Sequence, residues 1–330
     1  MFSILKSLML TILVGSNTAY WGHTYLAEDN DKVYALRSLS PSSLCVFDAD
    51  VLKNKEGVIE LASLQVPMIE SKTEGEESCH ITLLPCEAVV SDYTSGTLTL
   101  YPLDKKGNVK GDARLIRFEG SSVHPTRQKS SHIHSSALSP DGNSLIVVDL
   151  GCDKLYRFAV EKGRVAKQLQ AVSTPAGSGP RFSTFSTDGK YFYVVTELSD
   201  EVLVYNTSDY KLLNRYPLHT ANPGGGAHIA LSADGRYLYA SLRVSSVVKE
   251  CSISDGVAIY ECLPDGKLKK LHYQTVGGHP RHFAISKDGK ALVVACRDGD
   301  CLEIYPLEKG VPTGAVERVA VEKPTYVGLR

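Results

Sequence analysis

The 330-residue chain has one tryptophan (Trp21), three methionines and no run of 18 apolar residues. The last absence excludes an ordinary membrane-spanning helix. An excess of either charge is missing too: 36 Lys+Arg stand against 37 Asp+Glu, a net −1, and the basic residues do not cluster. No nucleic-acid partner and no membrane partner are therefore expected. Eight cysteines are scattered along the chain, at 45, 79, 86, 152, 251, 262, 296 and 301. They form no CxxC and no Cys/His set at zinc spacing. Cys79-His80 lacks a second ligand pair, so neither a metal nor a cofactor is expected. Thiols without a framework suit a reducing compartment, and a cytoplasmic location follows. One signal competes: Lys6 precedes the apolar stretch Leu8 to Val14, and Val14-Gly15-Ser16 resembles a cleavage site. Residues 1–16 would then be a signal peptide and the protein secreted. The same stretch also reads as a first β-strand, the preferred reading.

Long amphipathic helices are absent as well, which sets α/β folds aside. What is present is turn and strand chemistry: 27 Gly, 15 Pro and 17 Tyr. Four segments align without gaps on an Asp-Gly pair: His134 to Gly142, Arg181 to Gly189, Ala227 to Gly235 and Arg281 to Gly289. The spacings between their Asp residues are 47, 46 and 54. A β-rich run follows each turn, and a further strand follows in three units: Lys154 to Phe158, Glu201 to Tyr205 and Cys301 to Tyr305. Two degenerate copies precede them, one from His80 to Tyr101 and one from Thr24 to Phe47. Six units of roughly 45–55 residues predict an all-β, seven-bladed β-propeller forming a single domain over 1–330. Its seventh blade would join Thr11–Val14 to C-terminal strands near Arg318–Val321 and Tyr326–Gly328. The first blade looks short and incomplete, because only 23 residues precede Thr24.

Hairpin geometry narrows the search for a site. Residues seven before the Asp and eight or nine after it are equidistant from the turn, so they gather at one end. Seven before stand His134, Arg181, Ala227 and Arg281; six before stand Ser135, Phe182, His228 and His282. Eight after stand Asp149, Thr196, Leu242 and Cys296; nine after stand Leu150, Glu197, Arg243 and Arg297. The strands demand apolar residues, but nothing in the repeat demands His, Arg or Glu here. A solvated rim of loop charges explains any one of them. The set His134, Arg181 and Glu197 points instead to a polar pocket for an anionic ligand. Glu197 near Arg181 would be held ionised, and His134 could exchange protons near neutral pH. Gly224-Gly225-Gly226 precedes a strand rather than a helix, so it is no dinucleotide loop.

Several longer stretches resemble the seven-bladed propeller lactonases, over about residues 75–310. They are Gln128-Lys-Ser-Ser-His-Ile-His134-Ser, Val148-Asp-Leu-Gly151, Gly177-Ser-Gly-Pro-Arg181, Tyr193-Val-Val-Thr-Glu197-Leu-Ser and Gly278-His-Pro-Arg-His-Phe-Ala-Ile285. That family includes bacterial 6-phosphogluconolactonases of propeller type and fungal 3-carboxy-cis,cis-muconate cyclases. The resemblance implies a catalytic His, Arg and Glu, which fall on His134, Arg181 and Glu197. Phe182 replaces the family's usual His, Thr196 its usual Asn, and Pro85-Cys86 stands where one blade has Asp-Gly. The implied activity is hydrolysis of a small anionic lactone by side-chain acid/base catalysis, with either Glu197 or His134 as base. Arg281, Arg243 or Arg297 would hold the substrate's anionic tail, with His228 and His282 nearby, and Asp149 is a further substrate-binding candidate. A carboxymuconate cyclase-like isomerase and an inactive binding propeller are the alternatives. A WD40 scaffold is disfavoured by the single Trp.

Overall fold

The computed structural model describes residues 11–16, 23–29, 32–37, 42–52, 57–60, 69–72, 75–220, 224–244 and 253–330. Lys6, Trp21 and Cys251 lie outside them. Among the described residues the secondary structure is all β, with short 3-10 turns such as Arg297–Gly299 and no α-helix. Among the described residues no helix is long and apolar enough to cross a membrane.

The chain falls into two compact units, one comprising Tyr20–Asn54 and Ala62–Phe182, the other Met1–Ala19, Lys55–Leu61 and Ser183–Arg330. The first unit holds three four-stranded sheets. One is built from His23–Asp29, Lys32–Arg37, Ser43–Asp48 and Ile69–Lys72; the next from Ser78–Leu84, Glu87–Asp92, Thr97–Pro102 and Arg114–Arg117; the third from Ile133–Leu138, Ser144–Asp149, Lys154–Glu161 and Arg164–Ser173. Apolar side chains of neighbouring sheets share one core. Ile133, Leu145 and Val147 of the third sheet pack with Val89, Leu98 and Leu100 of the second. The middle strands are buried on both faces, as an internal strand between two cores requires.

The sheet of Pro180–Phe185, Tyr191–Thr196, Glu201–Asn206 and Leu212–Pro217 starts where the first unit ends. Two further sheets follow in the second unit. One runs Gly226–Leu231, Tyr237–Leu242, Gly256–Cys262, Leu268–Thr275; the other holds Pro280–Ile285, Ala291–Cys296 and Cys301–Glu308. Glu317–Ala320 pairs with Cys301–Glu308. It therefore belongs to this sheet, which corrects the expectation that Arg318–Val321 closes the seventh blade. Among the described residues the seventh sheet has three strands: Thr11–Ser16 lies between Pro324–Leu329, antiparallel, and Gly57–Glu60, parallel. The strand reading of Thr11–Val14 and its pairing with Tyr326–Gly328 hold.

The repeat has a local cause. In each Asp-Gly turn a serine two residues earlier donates to the aspartate: Ser139 to Asp141, Ser186 to Asp188, Ser232 to Asp234, Ser286 to Asp288, at 2.5–2.7 Å. The same carboxylate oxygen accepts a backbone N–H two residues on. The glycine takes φ near +70° in all four, a region open to glycine at no steric cost.

Candidate functional site

Register places the predicted positions at one end of three of the four hairpins. Ile133 opposes Asp149, Gly226 opposes Leu242, and Pro280 opposes Cys296. Between these pairs and the next the ladder slips. Ile133 and Ser135 are consecutive partners that skip His134, and Pro280 and His282 skip Arg281. Ala227 and His228 fall in the same kind of slip, as does Cys79. Each of these positions is thus a β-bulge, which frees one side chain from the alternation of the strand.

In the first unit, His134 sits on its bulge 5% exposed. Its ring meets Tyr93 and Phe182 edge-on, at 5.7 and 5.8 Å between centroids. The Cys79 sulfur lies 4.0 Å from His134 Nδ1 and donates to the His134 carbonyl at 3.3 Å. Ser135, the next residue, donates from its hydroxyl to the Arg181 carbonyl at 2.9 Å. The adjacent His-Ser pair thus supplies one candidate side chain and anchors the backbone of another. Arg181 is 2% exposed and its guanidinium stands 5.7 Å from the Phe182 ring. Phe182 joins Tyr25 and His80 in a ring cluster. Burial drives the His80 imidazole down to about 3, so it stays neutral near pH 7.

The loop that leads to Arg181 is held by a residue to which the sequence reading gave no site role. Asp153, in the left-handed region at φ 51, accepts the N–H groups of Gly177 and Gly179 at 2.7 Å each. Ser122 and Ser178 hydroxyls donate to it as well. Asp200, Asp255 and Asp300 repeat the device, accepting from Gly224 and Gly226, from His279, and from Lys323. A signal was present: Asp153, Asp200 and Asp300 each stand twelve residues after a turn aspartate. Residues 245–252 lengthen the interval before Asp255.

Asp149, expected to touch substrate, is fully buried and already holds five donors. They are Ser131 Oγ, the N–H groups of His132, Gly151 and Cys152, and more distantly Tyr156 Oη. It fixes the loop that leads to His134 rather than facing a ligand.

In the second unit, Glu197 and Arg243 form a buried ion pair, Oε2 to Nη2 at 2.9 Å. Arg243 is thus a cation on Glu197 that the sequence reading did not suggest. Two of the three glycines explain how the pair is held. Gly225 donates to the Glu197 carbonyl at 2.7 Å, and its own carbonyl accepts from Arg243 N and Nε at 3.0 Å. Gly226 accepts from Arg243 Nη2, and a Cβ on it would stand 2.1 Å from the Thr196 oxygen. Arg243 thus holds Glu197 and the backbone of Gly225 and Gly226 together. Arg297 is likewise engaged, both Nε and Nη2 meeting the carboxylate of Asp298. His228 and His282 stack at 3.9 Å between centroids, and Tyr326 packs on His282 at 4.4 Å. The Val327 N–H donates to His282 Nδ1 at 3.4 Å. Arg281 lies on the bulge beside His282, half-buried.

Among the described residues, Cys296, Cys301 and Glu303 bring potential metal-ligating atoms within 4.8 Å of one another. Both Glu303 oxygens already accept hydrogen bonds, Oε1 from Arg318 and Oε2 from Tyr305 and Gly277. Burial also pushes the thiol of Cys296 far up, and that of Cys301 up. This donor set does not fit a resident metal.

Comparison with known proteins places this geometry. The Lactonase, 7-bladed beta-propeller family matches residues 17–329. A 6-phosphogluconolactonase of Formosa agariphila is 32% identical over 243 residues, 71% of this chain and 66% of that protein. A 6-phosphogluconolactonase of Bacillus subtilis is 27% identical over 72% of this chain and 68% of its own length. A Bacteroides fragilis crystal structure, provisionally named a 6-phosphogluconolactonase, superposes with a TM-score of 0.87 at 29% identity, covering all of both chains. The aligned stretch thus spans just under two thirds of the Formosa relative. The seven sheets, the bulged His and Arg positions and the family match over nearly the whole length agree, and the chain belongs to the seven-bladed β-propeller lactonases.

Proposed function

We propose that this protein hydrolyses a small anionic sugar lactone of the 6-phosphogluconolactone type, with His134, Arg181 and Glu197 as its catalytic residues. The observation that carries the reading is the family match over residues 17–329. The buried Arg243–Glu197 pair supports it, because a carboxylate held by a guanidinium in a desolvated place is built for charge.

Each side chain has a role suited to its chemistry. Arg181 stabilises the oxyanion that forms when water adds to the lactone carbonyl. His134 takes the proton from that water and returns it to the ring oxygen as the C–O bond breaks, giving the open hydroxy acid. Glu197, whose carboxylate is held by Arg243, orients the attacking water. Arg281 contacts the substrate's phosphate or carboxylate, with the stacked His228 and His282 beside it. Arg243, Arg297 and Asp149 act on neighbouring protein groups instead. The protein works as a single propeller domain in the cytoplasm.

Replacement of Arg181 by Ala is the direct test. Turnover of 6-phosphogluconolactone should fall by about 10²–10³, the cost of losing one oxyanion donor. An unchanged rate would sink the assignment. A parallel assay with a carboxymuconate substrate separates hydrolysis from cyclisation.

A further inference from the structure

A pair of cysteines stands apart from the residues assigned to lactone chemistry. Cys296 ends the strand Ala291–Cys296, and Cys301 starts the strand Cys301–Glu308. The two are direct partners in the antiparallel ladder, joined by the 3-10 turn Arg297–Gly299 and by Asp300 at φ 47. Directly opposed residues of such a pair have Cα atoms about 4.5–5.5 Å apart. That lies inside the window of about 4.4–6.8 Å that a disulfide spans. The two sulfurs are within 4.8 Å of each other. Cys296 is fully buried and Cys301 partly exposed, so reagents in solution meet Cys301 first.

We propose that Cys296 and Cys301 form a dithiol site that a small-molecule disulfide oxidises to a cross-strand disulfide. The Cys301 thiolate attacks the reagent disulfide, forms a mixed disulfide and releases one thiol. The Cys296 thiol, losing its proton to water, then attacks the Cys301 sulfur and releases the second. Two protein thiols and one reagent disulfide become one protein disulfide and two reagent thiols. Because burial and the Glu303 carboxylate disfavour both thiolates, the reaction is slow at neutral pH and accelerates as pH rises.

The bond would restrain more than the hairpin. The Arg297 N–H donates to the His279 carbonyl and the Asp298 N–H to the Gly278 carbonyl, each at 3.1 Å. His279 is two residues before Arg281. Closing the turn therefore reaches the loop that carries the cation assigned above to the substrate's anionic group.

The sequence offers a clean readout. Trypsin cuts after Lys290, Arg297 and Lys309, which separates the two cysteines into peptides 291–297 and 298–309. The intact protein is treated with glutathione disulfide at about pH 8.5, alkylated and digested. The expected product is these two peptides linked, two hydrogens lighter than their sum and separated by reduction. Cys301→Ser, a change at a partly exposed position, should abolish the link and leave the unfolding midpoint unchanged. The proposal is overturned if the wild type accumulates only a glutathione adduct on Cys301, or if Cys296 links elsewhere.

Discussion

Arg243 and Glu197 hold each other 2.9 Å apart with side chains less than a tenth exposed. Such a pair has little solvent to fall back on, so its members are not separable. Removing one leaves the other charge buried, at a cost of about 3–5 kcal/mol. Arg243→Met should therefore destabilise the protein by about that much and also reduce turnover, because Glu197 loses its orientation. The double variant Arg243→Met with Glu197→Gln should regain much of the stability and none of the activity. Urea unfolding and turnover, measured on all three proteins, check this. Full additivity of the two single losses in stability would contradict the pairing.

Asp200 carries a pH dependence of unusual sign for a carboxylate. Burial pushes it up to about 6, against the N–H groups of Gly224 and Gly226 and the charge of Arg243. The unfolded chain releases that proton near pH 4. Between the two values the folded protein binds more protons than the unfolded one, so this group's contribution to stability falls as pH rises from about 4 to about 6. Each unit is about 1.4 kcal/mol, giving about 2–3 kcal/mol across the window. Asp200→Asn has no such proton. The difference in unfolding free energy between wild type and variant should shrink by that amount between pH 4 and pH 6.5. Parallel curves would refute it.

How much of this was legible in the sequence follows from which residues carry a repeating chemistry. Ser-x-Asp-Gly is fixed by one serine, one carboxylate and one glycine, so the four turns and the strands around them could be read directly. The outer strands Arg164–Ser173 and Leu212–Pro217 could not be, since alternate residues face solvent and their charges mask the pattern. Gly57–Glu60 was invisible for another reason: its pairing with Thr11–Ser16 is parallel and lies outside the repeat. For the candidate site, counting from the turn singled out His134, Arg181, Glu197 and Arg281. Counting could not tell Arg243 and Asp149 from ligand-binding residues, because their partners are backbone groups and a neighbouring blade's side chain. The role of Gly224-Gly225-Gly226 was hidden likewise, since it depends on how closely Arg243 approaches.

Ser135 links His134 to Arg181, and the link is a single hydrogen bond. Its hydroxyl donates to the Arg181 carbonyl, and it is fully buried. Ser135→Ala leaves that carbonyl without this donor, at about 1–2 kcal/mol. Turnover should drop several-fold while the fold persists, because Arg181 is held less firmly. Circular dichroism and steady-state kinetics decide the matter; unaltered kcat with full stability loss would assign Ser135 to stability alone.

Asp153 acts on Arg181 from the other side, through the loop. Its carboxylate is 3% exposed as a residue and binds two glycine N–H groups and two serine hydroxyls. Asp153→Ala strands the buried N–H groups of Gly177 and Gly179, each costing about 1–3 kcal/mol. It also replaces an aspartate in the left-handed region, where alanine is less tolerated. Asp153→Asn keeps one acceptor and tolerates that conformation, so it should lose roughly half as much. The loop ends at Arg181, so both variants should lower kcat in the order Ala below Asn. Thermal unfolding and turnover of the pair test this. Equal loss in the two variants would mean that the shape of the side chain, rather than its accepting oxygens, sets the loop.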